Sequence, residues 1–159
     1  MSTTITTTNK RRVSGKYALI TGGSTGIGLA TAKQFAEEGA RVAVTGMDSE
    51  RLAAAVRELP SNALALRADA RSATDIATMF SEIQQHFGKL DILFVNAGVA
   101  LPTPLEAVDD AHIDTIFDSN FKGAVFAIQK AVPLMERGGS VMGGCAIFRG
   151  LASTNWTEN

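Results

Sequence analysis

The fold is decided by the stretch Thr21-Gly22-Gly23-Ser24-Thr25-Gly26-Ile27-Gly28. It follows directly on the apolar run Tyr17-Ala18-Leu19-Ile20, which predicts a buried strand, and it opens a segment with helical periodicity. Glycines in such a strand-to-helix turn let backbone N–H groups approach a pyrophosphate, and the helix N-terminus favours its negative charge. The stretch lacks the Gly-Lys-Ser/Thr ending of a nucleoside triphosphate loop, which disfavours ATP and GTP. The sequence therefore predicts a dinucleotide-binding turn, although any tight strand-to-helix turn favours glycine.

Short apolar runs and helical segments alternate on both sides of this turn. The predicted strands cover residues 17–20, 41–45, 63–67, 90–95 and 138–142. Helical periodicity is clearest between residues 72 and 87, and a longer helix is expected from about residue 111 to 135, with Pro133 as a kink or stop. Such alternation requires right-handed crossovers between parallel strands. The predicted fold class is α/β, a doubly wound parallel sheet (Rossmann-like) of about five strands.

Composition excludes several functional classes. The chain has 159 residues, 45% hydrophobic and 19% charged, with a formal net charge of −1, which fits one globular domain. The charge balance argues against nucleic acid and anionic membranes as partners, and no apolar run reaches the roughly 20 residues of a membrane helix. Cys145 is the one cysteine, which excludes an intrachain disulfide and a multi-cysteine metal site. We expect no metal and a cytoplasmic location.

Three segments are expected along the chain. Residues 1–12 are rich in threonine and end in Lys10-Arg11-Arg12, which predicts a disordered tail. Residues 13–142 form the predicted dinucleotide-binding domain, and residues 143–159 form a tail of different character.

Five ordered motifs give the domain a resemblance. The spacing T-G-x-x-x-G-I-G at residues 21–28 and Asn96-Ala97-Gly98 after the fourth strand are similar to the short-chain dehydrogenase/reductase family. The remaining matches are Val13-Ser14-Gly15-Lys16, Ala68-Asp69-Ala70 and Asn120-Phe121-Lys122-Gly123. The resemblance covers residues 13–141. It implies the N-terminal, cofactor-binding portion of the family fold, without the family's C-terminal strands.

The resemblance also implies a set of residues that contact NAD(P). The turn residues that would hold the pyrophosphate and the adenosine ribose are Gly22, Ser24, Gly26, Ile27 and Gly28. Asp69 would bind the adenine, with a plain turn residue at the end of a strand as the alternative. Asn96, Ala97 and Gly98 would line the cofactor, and Asn96 would also tie the fourth strand to its neighbour.

The choice between NADP and NAD depends on the end of the second strand. NAD enzymes usually place an acidic residue there, and NADP enzymes place basic residues nearby. Gly46 carries no acid, and relatives that use NADP often have a basic residue where Met47 or Thr25 stands here. Asp48 is better explained as a helix N-cap. The sequence favours NADP, with NAD as the alternative.

The expected catalytic group is incomplete. The family's chemistry uses a tyrosine with a nearby lysine, a serine, and an asparagine that holds a relay water. Asn120 matches that asparagine, whereas Cys145 and Ala146 stand near the expected serine. The Tyr-x-x-x-Lys motif is missing, since Tyr17 is the one tyrosine and belongs to the first strand.

Three functions therefore stay open. The chain is an oxidoreductase that transfers hydride between NAD(P)(H) and a carbonyl or alcohol, an inactive NAD(P)-binding module, or a non-functional truncation. Resemblance is lost after Val141, as a reading-frame change near Met142 would cause. A homo-oligomer is expected through the helix at 111–135, with Phe117, Phe121 and Phe126 facing a second subunit.

Overall fold

A five-stranded parallel sheet forms the centre of the computed structural model, which describes residues 11–143. The strands are β1 (Tyr17–Ile20), β2 (Arg41–Gly46), β3 (Leu64–Arg67), β4 (Leu90–Val95) and β5 (Met135–Gly143). Their order in the sheet is β3-β2-β1-β4-β5, and every neighbouring pair is parallel. The predicted doubly wound α/β class is confirmed.

Helices cover both faces of the sheet. They are α1 (Gly26–Glu37), α2 (Ser49–Arg57), α3 (Ala73–Phe87), α4 (Asp110–Phe117) and α5 (Gly123–Ala131). Side chains of β1 alternate between the two apolar layers: Ala18 and Ile20 pack with α1 and α2, and Leu19 packs with α3 and α5. β1 is buried on both faces, as the unalternating apolar run predicts.

The order of the strands places β1 between β2 and β4. Ile20 pairs with Val44 on one side and with Phe94 on the other, so all three strands end at the same edge of the sheet. Chain order reverses at β1, because β2 and β3 lie to one side and β4 and β5 to the other. Such a switch point opens a crevice at the carboxyl ends of the strands.

The predicted long helix is interrupted. α4 and α5 are joined by a π turn at Asp118–Lys122. A 3-10 turn at Val132–Leu134, which contains Pro133, follows α5 and ends this helical segment. The expected end at residue 135 is wrong, because Met135 already belongs to β5 and pairs with Leu90. A further 3-10 turn covers Leu105–Ala107.

The start of β5 also differs from the prediction. The strand begins at Met135 rather than Gly138, and its register shifts between Leu90 and Ile92 of β4. Gly138, with φ of 90°, lies within the shifted segment and adopts the left-handed conformation that glycine tolerates. Gly143, the residue at which the tail of different character is expected to begin, is the last residue of the strand.

Several predictions fall partly or wholly outside the described residues. These are the predicted tail at residues 1–12, of which residues 11 and 12 are described, and residues 144–159 with Cys145 and Ala146. Arg11 accepts a hydrogen bond from the Ser14 N–H and thus belongs to a turn. Between residues 11 and 143, no helix has the length and apolar character needed to cross a membrane.

The phenylalanines of the interrupted helix face different ways. Phe117 is 51% exposed and stacks on Phe121, with ring centroids 4.7 Å apart. Phe126 packs against the core cluster of α3 and α5. Phe126 is thus partly buried on this chain's own core, and the contact of these rings with a second subunit stays a prediction.

Candidate functional site

The N-terminus of α1 differs from those of its neighbours. Its N-cap, Thr25, makes no side-chain hydrogen bond to the first turn, and that turn carries no acidic residue. By contrast, Asp48, Ser72 and Asp109 each accept hydrogen bonds from the first turns of α2, α3 and α4. The open N–H groups and positive dipole end of α1 are therefore free to receive an anion.

The glycine turn brings backbone segments unusually close together. Gly22 has φ of 64°, and a Cβ there would lie 2.8 Å from Ala97 Cα. A Cβ on Gly28 would overlap the Gly22 carbonyl oxygen and lie 2.6 Å from Asn96 Nδ2. Only glycine fits at these two positions, since real Cβ atoms essentially never come within 3.0 Å of another heavy atom.

Thr21 and Asn96 join the turn to the end of β4. Thr21 Oγ1 accepts hydrogen bonds from the N–H groups of Asn96 at 3.0 Å and Ala97 at 3.1 Å. Asn96 Nδ2 in return donates to the carbonyls of Thr21 and Gly22 at 3.2 and 3.1 Å. On the β2 side, Thr45 Oγ1 accepts from the Gly22 N–H. The predicted tie by Asn96 is present, and it fixes the turn from both neighbouring strands.

A cavity of about 460 Å³ opens at this edge of the sheet. The predicted cofactor residues that line it are Gly22, Ser24, Thr25, Gly26, Ile27, Met47, Asp69, Asn96, Ala97 and Gly98. Gly28 and Asn120 do not line it. Gly28 contributes through the close approach of α1 to Gly22, and Asn120 contributes through the loop that follows β4. The residues predicted from the sequence thus come from four loops, which follow β1, β2, β3 and β4 and are far apart in the chain.

Beyond the end of β2, Asp48 and Arg51 bring an acidic and a basic side chain to the cavity from the start of α2. The Asp48 carboxylate accepts from the N–H groups of Glu50 and Arg51 at 2.9 and 3.0 Å, as predicted for an N-cap. The hydrogen bond from the Arg51 N–H, chiefly, holds the pKa of Asp48 below its usual value. Arg51 and Met47 both line the cavity, and Gly46 is buried beside Ser24.

Asp69 is held by Arg71 in a forked ion pair. Arg71 Nη2 donates to Asp69 Oδ2 at 2.7 Å, and Arg71 Nε donates to Oδ1 at 3.0 Å. This hydrogen bonding by the guanidinium keeps the pKa of the Asp69 carboxyl below its usual range. The Asp69 N–H donates to Asp75 Oδ2, and Ser72 Oγ donates to the other oxygen of Asp75. The loop after β3 is therefore fixed in both its backbone and its side chain.

Both polar atoms of the Asn120 side chain form hydrogen bonds with the backbone of Val99. Its Oδ1 accepts from the Val99 N–H, and its Nδ2 donates to the Val99 carbonyl, each at 2.8 Å. The residue lies inside the π turn, beside the buried Ser119 that lines the cavity. These contacts account for both polar atoms of the amide.

Five polar or charged residues of the site escaped the sequence analysis. The cavity is lined by Thr21, Thr45, Arg51, Arg71 and Ser119, none of which was singled out as a binding residue. The available signals were a basic residue three positions after the N-cap Asp48 and another two positions after Asp69. In the described part of the chain, no group of three or more His, Cys, Asp and Glu side chains could hold a metal ion.

Comparison with known proteins adds family membership to this geometry. The family model described as short chain dehydrogenase matches residues 16–145. Oxidoreductase asL5 of Sarocladium schorii is 41% identical over 143 residues, which cover 90% of this chain and 56% of that protein. The 3-oxoacyl-[acyl-carrier-protein] reductase FabG of Staphylococcus aureus is 38% identical over 80% of this chain and 54% of its own.

Solved structures give the same result. A dehydrogenase/reductase from Sinorhizobium meliloti 1021 superimposes with a TM-score of 0.80 at 38% identity, covering 85% of this chain and 55% of that one. A short chain dehydrogenase from Burkholderia cenocepacia J2315, solved in complex with NADP, gives a TM-score of 0.81 at 33% identity. The match covers 89% of this chain and 60% of that one. The chain spans about half the length of the curated relatives it matches. From its glycine turn to β5, the chain belongs to the short-chain dehydrogenase family.

Proposed function

We propose that this chain binds NADP(H) in the cavity at the carboxyl ends of β1, β2 and β4, as the cofactor-binding part of an oxidoreductase. The observation that carries the proposal is the N-terminus of α1, whose N-cap side chain is unused while those of α2, α3 and α4 are bonded. An uncapped helix N-terminus beside a cavity is suited to a pyrophosphate.

The other parts of the dinucleotide have partners along the cavity. Ile27 is 74% exposed at the rim, and a bound cofactor would cover this apolar side chain. Asn96, Ala97, Gly98 and Asp69 line the cavity. In this proposal the first three contact the cofactor near the ribose, and Asp69 binds the adenine. Gly98 is exposed and leaves the floor of this region open, since a side chain there would approach Asn120.

The end of β2 favours NADP over NAD. Gly46 offers no carboxylate for the adenosine ribose hydroxyls, and a Cβ at this position would lie 2.7 Å from Ser24 Oγ. The nearby acid, Asp48, is engaged with the first turn of α2 and lies 3.5 Å from Arg51 Nε. Arg51 lines the cavity with a 70% exposed side chain, and its ion pair with Asp48 involves Nε. We therefore expect the two Nη groups to bind a 2′-phosphate.

The dinucleotide, when bound, supplies a hydride for a carbonyl or accepts one from an alcohol. The residues of this chain hold and orient it. Tyr17 packs on Phe87 at the start of β1, at the edge of the sheet opposite the cavity, with ring centroids 5.1 Å apart. Tyr17 is therefore a structural residue, and the described part of the chain presents no tyrosine to the cavity. This favours a second candidate function, in which these 159 residues bind the dinucleotide without turnover.

A calorimetric titration of the full chain tests cofactor binding. We expect NADPH to bind more tightly than NADH. Arg51→Gln should weaken NADPH binding by about tenfold, because it removes one charge-assisted contact to the 2′-phosphate, and should leave NADH binding unchanged.

Arg57→Gln is the matched control, since it removes the same charge from the other end of α2. Failure of the wild-type chain to bind either dinucleotide would refute the proposal. Equal loss of NADH and NADPH affinity in Arg51→Gln would refute the role of Arg51. Oxidation of NADPH by the chain in the presence of a carbonyl substrate would refute binding without turnover.

A further inference from the structure

Arg71 engages the Asp69 carboxylate almost completely. Asp69 Oδ1 accepts from the Arg71 backbone N–H at 2.9 Å and from Arg71 Nε at 3.0 Å, which uses both of its lone-pair directions. Asp69 Oδ2 accepts from Arg71 Nη2 at 2.7 Å and shares Nε at 3.2 Å. The best remaining acceptor direction of the carboxylate is therefore on Oδ2.

The same pair is placed on the cavity and cannot turn easily. Both residues line the cavity, and the Asp69 side chain is only 24% exposed. The Asp69 backbone is also held, because its N–H donates to Asp75 and its carbonyl accepts from the Ser72 N–H. A carboxylate fixed at its backbone and on three sides of its head group presents one directed acceptor.

We propose that Arg71 is a positioning residue that makes Asp69 a single, directed acceptor for the exocyclic amino group of adenine, and so sets the base specificity of the site. This inference rests on the proposed function, since it assumes that the adenosine half of the dinucleotide lies against the loop after β3. Adenine presents an N–H donor at carbon 6, where hypoxanthine presents a carbonyl oxygen. A fixed carboxylate oxygen accepts a hydrogen bond from the adenine N–H and repels the hypoxanthine carbonyl oxygen.

Charge neutralisation is a second consequence of the ion pair. An unpaired carboxylate at this position would repel the phosphates of the dinucleotide. Arg71 cancels that charge, and its planar fork also fixes the direction of Oδ2. A lysine at this position would cancel the charge of Asp69. It would not fix the direction of Oδ2, because its ammonium is a point charge without fork geometry. The two effects are therefore separable by substitution.

The test compares binding of NADPH with binding of reduced nicotinamide hypoxanthine dinucleotide phosphate, using calorimetry on the full chain. We expect the wild type to prefer NADPH by about tenfold or more. Arg71→Gln should reduce that preference by about fivefold or more. Arg71→Lys should also reduce it, while binding of the hypoxanthine analogue stays as in the wild type. A loss of folding would instead weaken both ligands equally.

A double-mutant cycle shows whether Arg71 acts through Asp69. Asp69→Ala should abolish the preference, and adding Arg71→Gln to it should change the ratio no further. If Arg71→Gln or Arg71→Lys keeps the wild-type preference, or if Arg71→Gln still alters the ratio without Asp69, the inference is overturned while the proposed function stands. A wild-type chain that binds neither dinucleotide overturns both.

Discussion

Asn120 and Val99 hold each other through two hydrogen bonds of 2.8 Å, in which the Asn120 amide both accepts from the Val99 N–H and donates to its carbonyl. The bonds cross 21 positions of the chain. They attach the loop after β4, which borders the cavity at Val99, to the π turn at Asp118–Lys122. The loop and the interrupted helix therefore form one unit at the cavity.

Replacing Asn120 by Asp should destabilise the chain, because a carboxylate cannot donate to the Val99 carbonyl. We expect the free energy of unfolding to fall by about 1–3 kcal/mol, the cost of an unsatisfied polar group. Urea denaturation measures it. Asn62→Asp makes the same chemical change at an exposed turn and should alter stability by less than about 0.5 kcal/mol. Equal effects of the two variants would contradict this role of Asn120.

Gly123 allows α5 to approach the loop after β3. A Cβ on Gly123 would overlap the carbonyl oxygen of Ala70. Alanine normally favours a helix over glycine by about 1 kcal/mol, yet Gly123→Ala should destabilise the chain by about 1–3 kcal/mol, because backbone must move. Thermal unfolding compares it with Gly143→Ala, where an added Cβ has, apart from its chain neighbours, no atom of residues 11–143 within 4 Å. A Gly123→Ala variant as stable as wild type would disprove the steric contact.

Thr21 should matter for both stability and binding. The buried Oγ1 accepts from the N–H groups of Asn96 and Ala97, and valine has the same shape without that acceptor. We expect Thr21→Val to lower the free energy of unfolding by about 1–3 kcal/mol and to weaken NADPH binding. Thr74→Val, on the exposed side of α3, is the control for a hydroxyl-to-methyl change. Unchanged urea midpoints for both variants would show that the two N–H groups find other partners.

The Asp69–Arg71 ion pair gives stability a dependence on acid pH. Hydrogen bonding by Arg71 lowers the pKa of Asp69 from its ordinary 3.8. The ionised group therefore stabilises the fold fully above that value, and this contribution is lost as the pH falls through the lower pKa of the folded state. Urea unfolding at decreasing pH should show wild type and Asp69→Asn converging below about pH 4. A constant difference between them would contradict the pKa shift.

The elements that form the core were readable from the sequence. β1 and β4 have the predicted bounds, because each contains four consecutive apolar residues near turn signals, at 17–20 and 92–95, as a strand buried on both faces does. The predicted N-cap Asp48 also follows a local rule, because its carboxylate accepts from the first turn of the helix that it precedes. Such rules depend on neighbouring residues alone.

Features that depend on distant residues were missed. The π turn adds one residue to a helical turn, which hardly alters hydrophobic spacing. Within it, the Asn120 side chain bonds to Val99, which lies 21 positions earlier in the chain. The early part of β5 is exposed and polar, so Glu136 and Arg137 give no strand signal. The fork between Arg71 and Asp69 depends on the shape of the loop, which residue spacing does not encode.

The position of β1 between β2 and β4 has a consequence for how the chain matures. The three strands β1, β2 and β3 are all synthesised by residue 67, and they can pair through short crossovers. The hydrogen bonds that fix the glycine turn join Thr21 to Asn96 and Ala97, which lie some 75 positions later in the chain. Although the turn is one of the first motifs to be translated, its anion-binding shape is completed late, after the loop closures that make parallel sheets slow to assemble. A nascent chain therefore carries its most recognisable motif for some time before that motif can hold a ligand, and dinucleotide cannot assist the earliest folding steps.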